Sequence, residues 1–274
     1  ALHHIPDVEQ CLTPISAKMK KYGALLLMAS VTTAFVPHTY THTHRSVFRN
    51  NVALSEKKEA TFGMGCFWEP SETMLKERGV LATTVGYCGG GPGAKDPTYS
   101  SVCYGRNWVE AVRVVYDEDD VSYEELLDHF FNLQKPAVGS RQYASMIFAD
   151  ENQESRARKW LDDAVSVERR REKDGLPASA VQIEPLSAFY RAESFHQNYW
   201  PKTRLRIAFG VFLLAGASGA FDSIFDPGMH HTVHTFFNGV FTAGSIALLA
   251  ERFLSRDVRE LTPGDLLASA EAGN

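Results

Sequence analysis

The sequence contains few cysteines, and these are scattered along the chain. Its 274 residues include four cysteines, and no two of them form a Cys-x-x-Cys pair. Such scattered cysteines exclude a disulfide scaffold and argue against a structural zinc site, which leaves one reactive thiol as the chemical role to test. Positive charge is not in excess either, because 28 Lys and Arg face 33 Asp and Glu, so the net charge of −5 gives no electrostatic case for nucleic-acid binding.

The composition is that of a folded globular protein. Hydrophobic residues make up 44% of the chain and charged residues 22%, with 20 Gly and 12 Pro. This balance excludes a mainly disordered, collagenous or coiled-coil protein. The length suits one domain with appendages, and we expect three segments, at residues 1–51, 52–200 and 201–274.

The first segment has the pattern of a targeting sequence. Residues 18–21 are rich in Lys and precede an uncharged, mostly apolar stretch at 24–36, which is typical of a signal peptide. Residues 35–51 contain Arg, Thr and His but no acid, as organelle transit peptides do. Together these stretches resemble the bipartite plastid presequence of algae with secondary plastids. A plastid (chloroplast) location is therefore expected, and secretion with an unstructured linker is the alternative.

The middle segment mixes short apolar runs with amphipathic stretches in no steady βαβ rhythm. We therefore predict an α+β fold with a mixed sheet packed with helices, a two-layer αβ sandwich, followed by a C-terminal helical hairpin. Ser122, followed three residues later by Glu125, predicts a capping box. The expected strands cover 60–64, 80–85, 109–116, 142–149 and 181–186, and the expected helices cover 70–78, 122–134 and 150–173.

Cys66 stands between a predicted strand end and a predicted helix start, in the sequence GMGCFWEP. Backbone N–H groups and the helix dipole at such a position lower the pKa of a thiol, and Gly63 and Gly65 leave the sulfur accessible. Glu69 and Glu72 oppose thiolate formation, so the local sequence is equally compatible with an inert buried cysteine at a turn.

A series of motifs accompanies GCFW along the chain. In order they are VGYCGG at 85–90, PTYSSVCYG at 97–105, VEAVRVVYD at 109–117, SYEELLDHFF at 122–131, QYASMIF at 142–148 and FYRAESFHQNYW at 189–200. Together they resemble the A-type peptide-methionine sulfoxide reductases, also called peptide-methionine (S)-S-oxide reductases. The resemblance covers residues 59–200.

The resemblance implies thiol-dependent reduction of protein-bound and also free methionine S-sulfoxide, a repair of oxidative damage. It makes Cys66 the nucleophile, which attacks the sulfoxide sulfur and becomes a sulfenic acid. It makes Glu110 the acid that protonates the sulfoxide oxygen, and burial beside aromatic residues would keep Glu110 protonated. The phenols of Tyr99 and Tyr143 correspond to the two that hydrogen-bond the oxygen.

A second set of residues matches the substrate pocket of that family. Phe67 and Trp68 correspond to the aromatic pocket that receives the ε-methyl group, and His196 and Tyr199 belong to the late (F/Y)HQxY element. Two regions depart from the family pattern. Asn107-Trp108-Val109 precede Glu110 where relatives commonly have Gly-His, and residues 135–143 lack the usual Gln-Gly-Asn-Asp loop, so an acidic partner on the oxygen side has no counterpart.

Two cysteines are candidates for the resolving thiol that reduces the Cys66 sulfenic acid. Cys88 lies in a Gly-rich loop and is the preferred candidate, whereas Cys103 is expected to pack as a small core residue. No Cys follows Cys103, so the C-terminal recycling cysteines of many relatives are absent. The resemblance implies no bound cofactor and an external thiol reductant, namely thioredoxin, glutaredoxin or glutathione.

The last segment contains two uncharged apolar runs, at 207–221 and 233–250. Lys and Arg flank the pair, while the loop between the runs contains Asp and His but neither Lys nor Arg. This asymmetry favours a membrane hairpin with both ends on the positive side. The alternative is a soluble helical pair packed on the catalytic domain. No metal site is expected at His230, His231 and His234, because no fourth ligand is evident.

The expected partners are oxidised proteins as substrates, a thioredoxin-like reductant and a membrane contacted through residues 207–250, with no nucleic acid and a monomeric chain. Two other functions stay open. One is a Cys–His hydrolase that uses Cys66 and His196. The other is a catalytically impaired, membrane-tethered binder of oxidised methionine.

Overall fold

The computed structural model describes residues 57–272, apart from 92–93, 95, 106, 138, 172–173 and 256. The predicted targeting region at 1–51 lies outside the described residues.

A mixed sheet forms the centre of the described part of the chain. Its strands lie in the order β5-β4-β1-β3-β2-β6-β7. β4 and β5 pair in parallel, whereas the other neighbouring strands are antiparallel. The strands are β1 (Lys57–Met64), β2 (Val80–Cys88), β3 (Val109–Asp117), β4 (Ser145–Ala149), β5 (Gln182–Pro185), β6 (Phe189–Arg191) and β7 (Arg259–Leu261).

Helices connect and cover these strands. They are α1 (Trp68–Met74), α2 (Tyr99–Gly105), α3 (Tyr123–Leu133), α4 (Glu154–Ser166), α5 (Tyr199–Ala217), α6 (His230–Leu254) and α7 (Asp265–Ala272). The predicted capping box at the start of α3 is confirmed: the Ser122 hydroxyl accepts from the Glu125 N–H, and the Glu125 carboxylate accepts from the Ser122 N–H.

The two faces of the sheet are buried in different ways. On one face, Phe62 and Val112 belong to the same buried cluster as Leu127 and Phe130 of α3. The other face carries a smaller cluster, against which Leu266 of α7 packs. Side chains alternate between the two faces along a strand. Val109 and Ala111 of β3 belong to the smaller cluster, so Glu110, which lies between them in the sequence, points to the opposite face, the one covered by α3. The α+β class with a mixed sheet is confirmed.

Several element boundaries differ from the predicted ones. β2 continues past Val85 to Cys88, because Tyr87 and Cys88 pair with β3. The helix predicted over 150–173 is confined to α4, and a bridge between Arg170 and Pro177 follows it. The elements α2, β6, β7 and α7 are not among the predicted ones.

The C-terminal extension contains the predicted helical hairpin. Glu251 of α6 binds Arg206 of α5 at one end (2.7 Å), and His234 Nε2 lies 2.7 Å from Asp222 Oδ1 at the other, so the two helices are antiparallel. Phe237 of α6 packs against the Cα of Gly216, where a Cβ would lie 2.5 Å from the ring. After α6, the chain returns to the sheet as β7.

Candidate active site

Cys66 lies at the turn between β1 and α1, and the turn depends on a glycine. Gly65 has a φ of +78°, and a Cβ at this position would lie 1.9 Å from the Lys135 carbonyl oxygen. Glycine is therefore required both for the backbone conformation and for the close approach of the neighbouring chain. The turn leaves Cys66 exposed to solvent and directs the adjacent Phe67 into the core.

Glu110 is a buried carboxyl group directly beside this turn. Only 2% of the residue is exposed. Its Oε2 accepts a hydrogen bond from the Phe67 N–H (3.2 Å), and its Oε1 accepts one from Gln142 Nε2 (2.7 Å). The first bond fixes the carboxyl group against the residue that follows Cys66.

Burial raises the pKa of Glu110 to about 7, and the charge of Glu193 adds to this effect. The hydrogen bonds from Gln142 and Phe67 act in the opposite direction, but burial outweighs them. A large share of Glu110 is therefore protonated at neutral pH, as a general acid requires.

The two predicted phenols are those of Tyr99 and Tyr143. Burial raises the pKa of Tyr143 well above its ordinary value, and the charges of Glu110, Cys66 and Tyr99 raise it further. The Tyr143 phenol thus lies near all three groups and stays a hydrogen-bond donor. Tyr99 begins α2, and its ring centroid lies 5.0 Å from that of His196.

The pKa of the Cys66 thiol is raised to about 12, mainly by withdrawal of the sulfur from water and next by the charge of Glu110. The Trp68 N–H lowers it, as the sequence position predicts, but this contribution is outweighed. The thiol is protonated in the resting protein, and thiolate formation depends on the state of Glu110.

Aromatic rings form the wall next to the thiol. Trp68 stacks on Tyr199 with ring centroids 3.8 Å apart and an interplanar angle of 7°. The Trp68 Nε1–H donates to His196 Nδ1 (2.9 Å), and the Phe67 ring lies 5.2 Å from the His196 ring. The predicted pocket residues are thus brought together, and they offer an apolar surface suited to a methyl group.

His196 orients Trp68 and is poorly suited to act as a base. Burial, and secondarily the charge of Arg252, lower the pKa of His196 to about 3, so the ring is neutral. Because Nδ1 accepts from Trp68, the proton of the neutral ring is on Nε2. A Cys–His hydrolase needs a histidine that takes the proton of Cys66, and this arrangement disfavours that alternative.

Two residues of the site were not singled out from the sequence. Gln142 donates to Glu110, and Glu193 is a buried carboxylate that accepts from the Tyr87 hydroxyl (2.8 Å) and the Tyr99 N–H (3.1 Å). Both lie inside quoted motifs, but their partners come from distant parts of the chain. Glu193 fixes the start of α2 and therefore the position of Tyr99.

The two candidate resolving cysteines lie on opposite sides of the sheet. Cys88 is fully buried with Val109 and Met146 in the smaller cluster, on the face opposite Glu110. Cys103 is half-buried, and its Sγ lies 3.6 Å from the same Gln142 Nε2 that binds Glu110. The sequence-based preference for Cys88 and the core role for Cys103 do not fit this arrangement, because alternation along β2 turns Cys88 away from the site.

Packing explains why Asn107-Trp108-Val109 precede Glu110 in place of the Gly-His of the family pattern. Trp108 is buried against Gly90, where a Cβ would lie 2.5 Å from the indole, and it meets the Tyr190 ring edge-on at 5.3 Å. The short segment after Lys135 is attached to β1 through the Lys135 N–H, which donates to the Met64 carbonyl (2.8 Å). The shortened loop therefore still delivers Gln142 and Tyr143 to the site.

Known proteins resemble this chain over the same region. The family model described as peptide methionine sulfoxide reductase matches residues 58–211. The peptide methionine sulfoxide reductase MsrA of Methanothermobacter thermautotrophicus is 37% identical over 174 residues, which cover 60% of this chain and 98% of that protein. Its namesake in Nautilia profundicola is 37% identical over 153 residues, covering 53% of this chain and 83% of that protein.

Among solved structures, methionine sulfoxide reductase A of Corynebacterium diphtheriae is 30% identical, with a TM-score of 0.43 and coverage of 54% of this chain and 76% of that one. Reduced Mxr1 from Saccharomyces cerevisiae is 28% identical, with a TM-score of 0.44 and coverage of 54% and 87%. Since the matched family model spans more than half of the sequence, the chain belongs to the peptide methionine sulfoxide reductase family.

Proposed function

We propose that this thiol-dependent methionine sulfoxide reductase acts on methionine S-sulfoxide, chiefly in oxidised proteins, through a sulfenic acid on Cys66. The observation that carries the proposal is the buried Glu110, with its pKa raised to about 7 and its carboxyl group bound to the Phe67 N–H. A sulfoxide oxygen leaves only when it is protonated, and Glu110 is the acid next to the thiol.

In the proposed reaction, the Cys66 sulfur attacks the sulfoxide sulfur while Glu110 protonates the oxygen. Tyr99 and Tyr143 donate hydrogen bonds to that oxygen as charge develops on it. The methyl group rests against Phe67 and Trp68. Transfer of the oxygen yields methionine and a sulfenic acid on Cys66, so the thiol is oxidised by two electrons and the sulfoxide is reduced by two.

A single-turnover measurement tests this function. The full chain is mixed with a peptide that contains one methionine S-sulfoxide, with dithiothreitol and without it, and the R epimer serves as the matched control. We expect one methionine per protein molecule without reductant, repeated turnover with it, and no product from the R epimer. A chain that binds the S-sulfoxide peptide but forms no methionine would instead be the impaired binder.

The sulfenic acid needs a second thiol, and Cys103 is better placed than Cys88 to supply it. A sulfenic acid on Cys66 and the Cys103 thiol would condense to a disulfide with loss of water. An external dithiol such as thioredoxin, or glutaredoxin or glutathione, would then restore both thiols. This proposal rests on the Gln142 amide, which contacts both Glu110 and Cys103.

Paired cysteine variants distinguish the two candidates. After one turnover without reductant, we expect a Cys66–Cys103 disulfide in the native chain and in Cys88→Ala. In Cys103→Ser, the sulfenic acid should persist and be trapped by dimedone. Peptide mapping by mass spectrometry reads both species. Dimedone labelling that is equal in the native chain and in Cys103→Ser would show that Cys66 is reduced directly by the external thiol.

The C-terminal hairpin is proposed to tether the enzyme to a lipid bilayer. The helical stretch at 227–254 contains an 18-residue window whose mean hydropathy is 1.4 and of which none is buried in the protein, and large apolar side chains such as Ile207, Phe209 and Val211 are exposed on α5. Neither Lys nor Arg occurs between Arg206 and Arg252, so the cations lie at the base of the hairpin, where lipid phosphates would bind them. A solvated pair of helices would leave this apolar surface in water.

Vesicle flotation tests the tether. We expect the full chain to float with vesicles of phosphatidylcholine and phosphatidylglycerol and to resist extraction by 1 M salt, because burial of apolar surface does not depend on ionic strength. Phe209→Asp combined with Val211→Asp should abolish flotation while methionine formation from a soluble peptide is retained. Release of the native chain by salt alone would contradict insertion. Plastid location and a monomeric state remain predictions.

A further inference from the structure

The two ends of the hairpin are joined directly to the active site. Tyr199 is the first residue of α5 and stacks on Trp68. One turn further, Arg204 binds Glu72 of α1 (2.5 Å), so the helix is attached to the element that carries the pocket. The catalytic pocket and the base of the hairpin are therefore parts of one packed unit.

The end of α6 returns to the same place. The Arg252 guanidinium lies over the Phe195 ring at 6.0 Å, and Asp257 accepts a hydrogen bond from the Ser194 N–H (3.0 Å). The loop that supplies His196 is thus held on both sides, by the start of α5 and by the chain that leaves α6.

This attachment limits the distance between the pocket and a bilayer that contains the hairpin. Tyr199 and Ile207, the start of the exposed apolar run, are eight residues apart on α5, or at most about 12 Å along its axis. The headgroup layer on each side of a bilayer is about 5–7 Å thick. The pocket would therefore lie just outside the headgroups.

One cleft is lined both by Tyr99 and by residues at the base of the hairpin. It has a volume of about 720 Å³, and its lining includes Tyr99, Glu193, Phe195, Arg252 and Phe253. Phe253, at the end of α6, is 76% exposed. A polypeptide segment that rises from the membrane surface would meet this apolar side chain before its sulfoxide reached Tyr99.

We infer that the preferred substrates are methionine S-sulfoxides in polypeptide segments that lie at a bilayer surface, within a few residues of the hydrocarbon boundary. The inference rests on the proposed reductase activity and membrane tether. A sulfoxide five residues from the boundary reaches about 17 Å in extended conformation, far enough to enter the site. A sulfoxide on a long flexible tether has a lower effective concentration at the active site.

The test uses the full chain in phosphatidylcholine–phosphatidylglycerol nanodiscs together with peptides that contain an apolar membrane span. One peptide carries a single methionine S-sulfoxide five residues from the span, and its partner carries the same sequence beyond a 40-residue Gly/Ser spacer. We expect the near sulfoxide to be reduced about 20-fold faster, from the −3/2 power dependence of effective concentration on tether length. Equal rates, or a faster rate for the distant sulfoxide, would overturn the inference.

A matched pair of variants tests the cleft. Phe253→Ala should slow reduction of the near peptide about fivefold through loss of apolar contact. It should leave reduction of N-acetylmethionine S-sulfoxide amide unchanged, because that compound has no flanking chain. Leu254→Ala, at a neighbouring residue that is 78% exposed and outside the cleft lining, should change neither rate. Equal effects of the two variants would contradict the assignment of the cleft.

The failures of the three claims can be told apart. Loss of activity on the soluble amide would contradict the proposed reductase activity and therefore the inference. Normal activity on the amide, without incorporation of the chain into nanodiscs, would contradict the tether and the inference but not the reductase activity. Activity and incorporation without a preference for the near peptide would contradict the inference alone.

Discussion

We expect Cys66→Ser to form no methionine above the level measured without protein, both in single turnover and with dithiothreitol present. A serine hydroxyl is a far weaker nucleophile than a thiolate, and the seryl product has no counterpart to the sulfenic acid that a thiol reduces. Glu110, Tyr99 and Tyr143 remain in place in this variant. The loss therefore measures the sulfur itself rather than the surrounding site.

Substrate binding separates this result from misfolding. Phe67 and Trp68 are unchanged in Cys66→Ser, so the variant should still bind the S-sulfoxide peptide, with a dissociation constant close to that of the native chain in calorimetry. Cys88→Ala is the matched control and should retain the native rate, because Cys88 lies on the other face of the sheet. Methionine formation by a folded Cys66→Ser variant would assign the nucleophile elsewhere.

Local sequence signals predicted the parts of the fold whose interactions are themselves local. The capping box of Ser122 and Glu125 joins residues three apart, and the strand-forming run VEAVRVVYD lies within nine residues. The apolar runs of the extension likewise predicted its two helices. Each of these signals needs only a short window of sequence.

The interactions that build the site link distant residues and could not be predicted in this way. Cys88 faces away from the thiol because Tyr87 pairs with Glu110 and Cys88 with Val109, a register that no local pattern states. Glu193 fixes Tyr99 from 94 residues away. The strand β7 contains three residues, too few for any periodicity, and it exists because β6 offers an open edge.

The pKa of Cys66 could not be predicted from the local sequence either, because it depends on the charge of a residue that is distant in the chain. The turn before α1 predicts a lowered pKa, and the Trp68 N–H does act in that direction. Burial and the charge of Glu110 outweigh it, and Glu110 comes from a strand 44 residues further along the chain. The thiol therefore becomes reactive through Glu110 rather than through the helix start.

Glu110→Gln is expected to slow methionine formation in single turnover by about 100- to 10,000-fold, the range that a general acid contributes. Glutamine can still accept the Phe67 hydrogen bond, so the geometry of the turn is preserved. The same substitution removes the charge that raises the pKa of Cys66. Alkylation of Cys66 by iodoacetamide should therefore become faster at pH 7. Slower methionine formation together with faster alkylation would show that only the acid is lost. Disruption of the site would slow both reactions.

The pH dependence follows from the same two groups. Below pH 7 Glu110 stays protonated, so the native rate should rise about tenfold per pH unit with the thiolate fraction of Cys66. Above pH 7 the protonated fraction of Glu110 falls with each pH unit by the same factor as the thiolate fraction of Cys66 rises. The product of the two fractions then stays constant, so the rate should level off. Glu110→Gln has no proton to lose, so its much lower rate should continue to rise beyond pH 7. Stopped-flow quench between pH 5.5 and 9 measures both profiles, and a native rate that keeps rising through pH 8 would show that the acid is another group.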